Sequence, residues 1–395
     1  MKRKIVIDRK AKWGDKFGAI NGWSSELLKQ AKIMVVGAGA LGNEVVKNLT
    51  LLNAGNLLIV DFDIVEYDNL SKSVLFREED RGQQKATSVI KHLKAINSEV
   101  KTKAIVGDIG TDVGLGVFRR MDVVIGCLDN YLARLYINQH CFKVNKAWVD
   151  GALREMSGRY NVYIPGISCF ECSLTDAAWD IINFRMSCPN IAKRNASLGN
   201  VTTTPVSASI IAAFQVQEAL KIVFGQEDRS IAGEEVQYYG DNNLFLRFKE
   251  AALRDDCPSH ATYQDIIEAK ALSHDNSVAE VLAWLKTHFS AQEVRIVSPQ
   301  DIVLKASSSD GQHTVETAIY KTSLFDAPEI AELDTATDDE WIIEEHLGSI
   351  DDDFPYPQKT LAQIGVPFLD ILTVEANGDF HFVELTGDEQ KLIFE

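Results

Sequence analysis

Hydrophobic positions in the first 260 residues follow two alternating patterns: short unbroken apolar runs, then stretches where apolar residues recur every three or four positions. The first such unit spans 31–61, AKIMVVGAGALGNEVVKNLTLLNAGNLLIVD. The run at 33–36 predicts a strand buried on both faces, and Leu41, Val45, Val46 and Leu49 predict one face of a helix. A second run, 57–60, predicts a strand ending in Asp61. Between the first strand and the helix stand Gly37, Gly39 and Gly42. That spacing lets a backbone approach a phosphate at the N-terminus of a helix, where unpaired N–H groups and the positive dipole end lie.

The alternation continues with a helix at 83–96, a strand near Ala104, and a buried strand at 122–127 that runs into Leu128-Asp129-Asn130. A helix at 131–143 and a strand at 148–150 follow. After a polar break at 188–205, residues 206–224 predict a long buried helix, and short strands are expected within 235–248. This order predicts an α/β fold: a doubly wound, mostly parallel, Rossmann-like sheet that binds ligands beyond the carboxyl ends of its strands. The first domain is expected to occupy 1–260. Residues 261–395 predict a smaller α+β domain, with a helix at 277–289, strands at 294–297, 313–320 and 381–385, and a helical turn, loop and strand in TLAQIGVPFLDILTV at 360–374. Between Lys321 and Lys359 stand twelve Asp and Glu and no Lys or Arg, so an acidic surface is expected there.

Composition narrows the function. Of 395 residues, 46% are hydrophobic and 25% charged, as in a globular chain with a sizeable core. A formal charge of −17 disfavours a nucleic-acid partner held by backbone neutralisation. No run of about 18 apolar residues is expected to cross a membrane. MKRKIVIDRK has no apolar core behind its basic residues, and six cysteines in so long a chain do not make a secreted disulfide framework. A cytoplasmic setting is the expectation.

A glycine loop with an acid about 20 residues on fits a hydride-transferring, NAD-dependent oxidoreductase when taken alone. The residues after it point elsewhere. Asp61, Asp63, Asn69, Lys72 and Lys85 follow within a short stretch, and Asp129 closes a further strand. Asp61 can hold ribose hydroxyls, Lys72 and Lys85 can neutralise a triphosphate, and Asp129 can hold magnesium. Cys169-Phe-Glu-Cys172 and Cys257-Pro-Ser-His260 form two C-x-x-[CH] pairs, enough to close a tetrahedral structural zinc site. Cys127 and Cys141 sit in apolar patterns and read as packing residues. Cys188, in the polar break ahead of Lys193 and Arg194, reads equally well as an activated thiol or as a spectator.

In order along the chain, GAGALGNEVVKNL, VDFDIVEYDNLSKSVLF, GQQKA and CLDNYLAR resemble the ubiquitin-activating superfamily, which includes the thiamine and molybdopterin sulfur-carrier adenylyltransferases. The resemblance covers about 10–260. NLSKSVLFREED and the extra C-terminal domain look closer to bacterial ubiquitin-activating-like proteins. The resemblance implies that ATP and the C-terminal glycine of a ubiquitin-like protein give an acyl-adenylate and pyrophosphate, and that a cysteine then carries a thioester to a conjugating enzyme. It implies Gly37, Gly39 and Gly42 at the phosphates, Asp61 at the ribose, Asn69, Lys72 and Lys85 at the triphosphate, and Asp63 among the residues that bind the cofactor. Asp129 would bind magnesium with Asn130 and Arg134 nearby, and Cys169, Cys172, Cys257 and His260 would bind zinc. Cys188 is the nucleophile candidate.

Lys72 stands where the family usually has arginine, and His260 where it usually has cysteine. A homodimer is implied, with Arg9, or else Arg3, reaching the partner's site. The C-terminal region looks like a ubiquitin-fold domain that recruits the conjugating enzyme and is dispensable for adenylation. Two other outcomes remain open: adenylation that ends in sulfur transfer, and an inactive scaffold that only binds a ubiquitin-like tail.

Overall fold

The computed structural model describes residues 13–187, 202–309, 311–326, 330 and 341–395. Arg3, Arg9 and Cys188 lie outside them, as do Lys193, Arg194 and much of the acidic window.

Eight strands form the larger sheet: β1 (Lys32–Val36), β2 (Asn56–Val60), β3 (Lys101–Ile105), β4 (Val123–Gly126), β5 (Trp148–Arg154), β6 (Ser157–Tyr163), β7 (Glu234–Tyr239) and β8 (Leu244–Lys249). Their order is β3-β2-β1-β4-β5-β6-β7-β8, parallel as far as β5 and antiparallel beyond it. The parallel strands are unbroken apolar runs because both faces are covered. Val35, Ile59 and Ile125 face one core with α2 (Ala40–Leu51), α3 (Lys85–Ile96) and α7 (Pro205–Val223). Met34, Leu58 and Val124 face the other, with α4 (Leu115–Arg119), α5 (Tyr131–Lys143) and α6 (Asp176–Ser187). Helix α1 (Ser25–Gln30) precedes β1.

One expectation is corrected. Among the described residues, α7 is long and apolar enough to cross a bilayer by length and composition. It serves instead as a core helix, with Ile211, Ala212, Val216 and Ala219 buried beneath β5 and β6. Its first turn is capped by Thr204, whose hydroxyl accepts from Ser207 N–H. The pattern also left several elements unmarked, among them the antiparallel strand β6, the helices α4 and α6 and the long β12 described below.

The smaller sheet has the order β11-β10-β13-β14-β9, with β12 paired to β10. Its strands are β9 (Ile267–Glu268), β10 (Val294–Ser308), β11 (Thr314–Tyr320), β12 (Trp341–Ile350), β13 (Ile371–Ala376) and β14 (Asp379–Glu384). Helix α8 (Val278–Phe289) packs on it through Val281, Leu282 and Leu285, and a capping box between Ser277 and Glu280 starts that helix. A single turn, α9 (Leu361–Ile364), ends at Gly365 in the left-handed region. This is the expected α+β unit. Part of the acidic window is β12, which carries Glu344, Glu345 and His346 opposite β10.

The two lobes share a core. Leu369, Ile371 and Leu392 of the second pack with Val113, Leu115 and Phe118 of the first. Glu384, fully buried, takes both Arg119 and Arg120, which also reach Glu268 at 3.0 Å and Glu389 at 2.7 Å. Glu395 exchanges backbone hydrogen bonds with Thr102 on β3, at 2.7 and 3.0 Å. The second lobe is therefore part of the first lobe's packing.

Candidate functional site

The strand order reverses between β1 and β4, and the crevice beyond their carboxyl ends is where such a sheet binds ligands. Gly37 leaves β1 with φ +94, its N–H bonded to the Val60 carbonyl at 2.8 Å. A Cβ there would come within 2.5 Å of the Cys127 carbonyl, and one at Gly42 within 1.9 Å of the Gly37 carbonyl. Those two glycines close the loop against β4 and let α2 start close to it. Gly39, the N-cap of α2, faces open space, so a phosphate can reach the helix N-terminus there.

Asp61 sits beside this loop. Its Oδ2 accepts from Ala38 N–H at 2.6 Å and its Oδ1 from Asp63 N–H at 2.8 Å. Burial raises its carboxyl above the usual range, and Lys85 works against that rise. At the start of α3, Lys85 Nζ donates to Asp63 Oδ2 at 2.8 Å. Burial disfavours the ammonium, but Asp61, Asp63 and Asp129 together outweigh it and hold Lys85 above the ordinary lysine range. The lysine and three acids of this set, drawn from three separate segments, are thus brought together.

Asn69 and Lys72 belong to one tight turn, Tyr67–Ser71 and its cap. Asn69 Oδ1 accepts from Glu66 N–H at 3.0 Å, and Lys72 Nζ reaches Asp68 at 3.1 Å. Asn130 caps α5, its Oδ1 accepting from Ala133 N–H at 2.8 Å, and its Nδ2 lies 3.4 Å from Asp129 Oδ1. Arg134 is only 4% exposed. Its Nε donates to Asp150 Oδ1 at 2.9 Å, and its Nη2 to the carbonyls of Leu128 and Gly151.

Three residues that the sequence did not single out hold the crevice together. Asn43 donates to the Ala38 carbonyl at 2.7 Å and accepts from Leu75 N–H at 2.9 Å, joining the glycine loop to the segment after Lys72. Gln215 of α7 donates to the Gly126 carbonyl at 2.8 Å. Asp150 lies on β5 opposite Gly126. A signal existed for two of them: Gln215 is polar on the buried stripe of an apolar helix, and Asp150 ends an apolar run as Asp61 does.

Magnesium fits the donors present, since Asp129, Asp61 and Asp63 offer carboxylate oxygens, the ligand class it takes. The residues of the two C-x-x-[CH] pairs converge as their spacing predicts. Ligand atoms of Cys169, Cys172, Cys257 and His260 all lie within 4.8 Å of one another. Cys169 Sγ is 4.0 Å from Cys257 Sγ, and Cys172 Sγ is 3.4 Å from His260 Nε2. Asn138 Nδ2 donates to Cys169 Sγ and Arg254 N–H to Cys172 Sγ, the outer support usual for thiolate ligands. This Cys3His set is the donor chemistry of structural zinc. Cys127 and Cys141, whose thiols burial pushes upward, are packing residues. A separate cleft of about 620 Å³ lies where the lobes meet, lined by Tyr136, Lys143, Tyr263 and Asp370 among others; none of the glycine-loop residues borders it.

A family profile described as the ThiF family matches residues 14–259. The chain is 26% identical over 362 residues to ubiquitin-like modifier-activating enzyme 5 of Oryza sativa subsp. japonica, covering 85% of this chain and 81% of that protein. It is 28% identical over 231 residues to the adenylyltransferase and sulfurtransferase MOCS3 of Anopheles gambiae, covering 58% of this chain and 49% of that one. Matches to two Dictyostelium discoideum relatives span 22% and 44% of those proteins. The solved structure of the microcin C7 biosynthetic enzyme MccB, in complex with N-formylated MccA, superposes with a TM-score of 0.50 at 21% identity, covering 60% of this chain and 69% of that one, and bears on the fold alone.

Proposed function

The chain belongs to the ThiF family, and on that premise we propose that it is an ATP-dependent activating enzyme for a ubiquitin-like protein. The observation that carries the reading is Lys85, held charged among Asp61, Asp63 and Asp129 beside the open end of the glycine loop. Adenylation brings a carboxylate onto the α-phosphate, so two anions must approach each other. Lys85 and Lys72 spread that charge, and Asp129 with Asn130 would hold the magnesium that supplies the remaining neutralisation. In this reading Asp61 holds the ribose and Gly39 lines the phosphates. The carboxyl oxygen of the modifier's terminal glycine forms the new bond to phosphorus as the bond to pyrophosphate breaks.

In this reading Cys188 then accepts the acyl group as a thioester, AMP leaves, and the second lobe presents the complex to a conjugating enzyme. Arg9 reaches the site from a second copy in a homodimer. A cytoplasmic setting belongs to the same proposal. The similarity to a protein named adenylyltransferase and sulfurtransferase favours one alternative, adenylation of a sulfur carrier without a thioester on the enzyme.

Intact-mass analysis after incubation with magnesium-ATP and a glycine-terminated ubiquitin-like protein tests both. A thiol-labile adduct that is absent in Cys188→Ala is the expected result. Modifier-dependent exchange of labelled pyrophosphate into ATP with no adduct would favour the alternative. Neither signal with a partner shown to bind would leave only a scaffold.

A further inference from the structure

Among the described residues, the carboxylate of Asp129 has little of its own to fix it: one long contact, from Asn130 Nδ2 at 3.4 Å, and the field of Lys85. Its position is inherited from the backbone on either side. On the C-terminal side the Asn130 cap starts α5. On the N-terminal side the Leu128 carbonyl is held by Arg134 Nη2. Arg134 is fixed in turn by Asp150 at 2.9 Å and the Gly151 carbonyl at 3.2 Å. Asp150 is fully buried and pairs with Gly126, where a Cβ would lie 3.4 Å from Asp150 Oδ1. One guanidinium therefore links the end of β4 and the middle of β5 to the first turn of α5.

We propose that Arg134 and Asp150 are positioning residues that set the Leu128–Asp129–Asn130 turn for a divalent cation, and that Arg134 does not touch the nucleotide. This rests on the adenylation reading, in which Asp129 holds magnesium. Two facts separate this role from a direct contact between Arg134 and the nucleotide. The guanidinium is almost wholly buried, and its Nε and Nη2 are committed to three protein acceptors. A planar fork is needed to serve all three at once, which a lysine cannot do.

The test is calorimetric titration of ATP into the full chain, with magnesium and with EDTA, for the wild type, R134K, D150N and D129N. Arg134→Lys keeps a charge beside Asp150 but loses the fork, and Asp150→Asn keeps an acceptor for Nε; if one variant fails to fold, the other carries the same expectation. In EDTA, ATP affinity should stay within about twofold of wild type, while the magnesium concentration for half-maximal tightening rises about tenfold or more. D129N should share that behaviour, and combining it with R134K should add little. Equal weakening with and without magnesium would mean direct contact with the nucleotide and overturn the proposal. So would an unchanged magnesium dependence with only a lower melting temperature. A wild type that binds ATP without regard to magnesium would sink the metal assignment and the proposal with it. A wild type that binds no ATP would instead sink the adenylation reading itself.

Discussion

Lys85 is tied to Asp63 twice: its Nζ donates to Oδ2 at 2.8 Å, and its backbone N–H donates to the Asp63 carbonyl at 2.8 Å. The two bonds fix the first residue of α3 to the segment that leaves β2, so the ammonium is placed by backbone as well as by charge. With Asp61 and Asp129 contributing to the same field, the lysine is charged and directed before any nucleotide arrives. Groups fixed in advance near developing charge need no reorganisation during the reaction.

Replacing Lys85 by methionine should therefore lower pyrophosphate exchange by about 100-fold or more. Helix α3 should persist, because its backbone tie to Asp63 survives. Exchange kinetics together with circular dichroism check this, and retained exchange would remove Lys85 from the site.

Zinc should be present at one atom per chain by elemental analysis and should resist dialysis. Stripping it with a strong chelator should leave three thiols and an imidazole crowded within 4.8 Å and lower the melting temperature by several degrees. Cys257→Ser should do the same without chelator. A preparation free of zinc that melts no lower than a zinc-loaded one would refute the site.

Glu250 gives a pH-dependent prediction. Its Oε1 accepts from Asn161 Nδ2, and Tyr163 also hydrogen-bonds the carboxyl. Burial, reinforced by Glu235, pushes its carboxyl up to about 7, with Asn161 opposing the shift. Since the folded value lies above the unfolded one, folding retains a proton that the unfolded chain releases. Stability should fall as pH rises from about 4.5 to 7 and level off above, by up to about 3 kcal/mol. Glu250→Gln should thus stabilise the protein at pH 8 and change little at pH 4.5. Denaturant unfolding at both pH values measures it; an equal effect at both would exclude the titration.

Removing 261–395 should not yield a working adenylation domain. It would expose Val113, Leu115 and Phe118 and leave Arg119 and Arg120 without Glu384. The fragment should aggregate or lose near-ultraviolet dichroism, losses expected when a shared core is cut. A soluble, cooperatively melting fragment would show that the lobes are separable after all.

The glycine loop, the parallel strands and α5 were legible in the sequence because each is dictated locally. A strand buried on both faces must be apolar throughout, a turn with φ near +94 needs Gly37, and Asn130 caps the helix that follows it. The zinc residues were legible for the same reason, since two C-x-x-[CH] knuckles carry their geometry in their spacing. Strand β6 was missed because its polar residues Arg159 and Asn161 break the apolar pattern, and they are tolerated only because Glu235 and Glu250 reach them from other segments.

What only the tertiary structure decided is what each polar group faces. From the sequence, Arg134 and Lys85 are two cations near a phosphate loop. Folding buries one against Asp150 and leaves the other beside the open glycine turn. The joining of the lobes through Glu384 was invisible for the same reason. Partners some 265 positions apart in the chain leave no local pattern, and only burial makes their pairing obligatory.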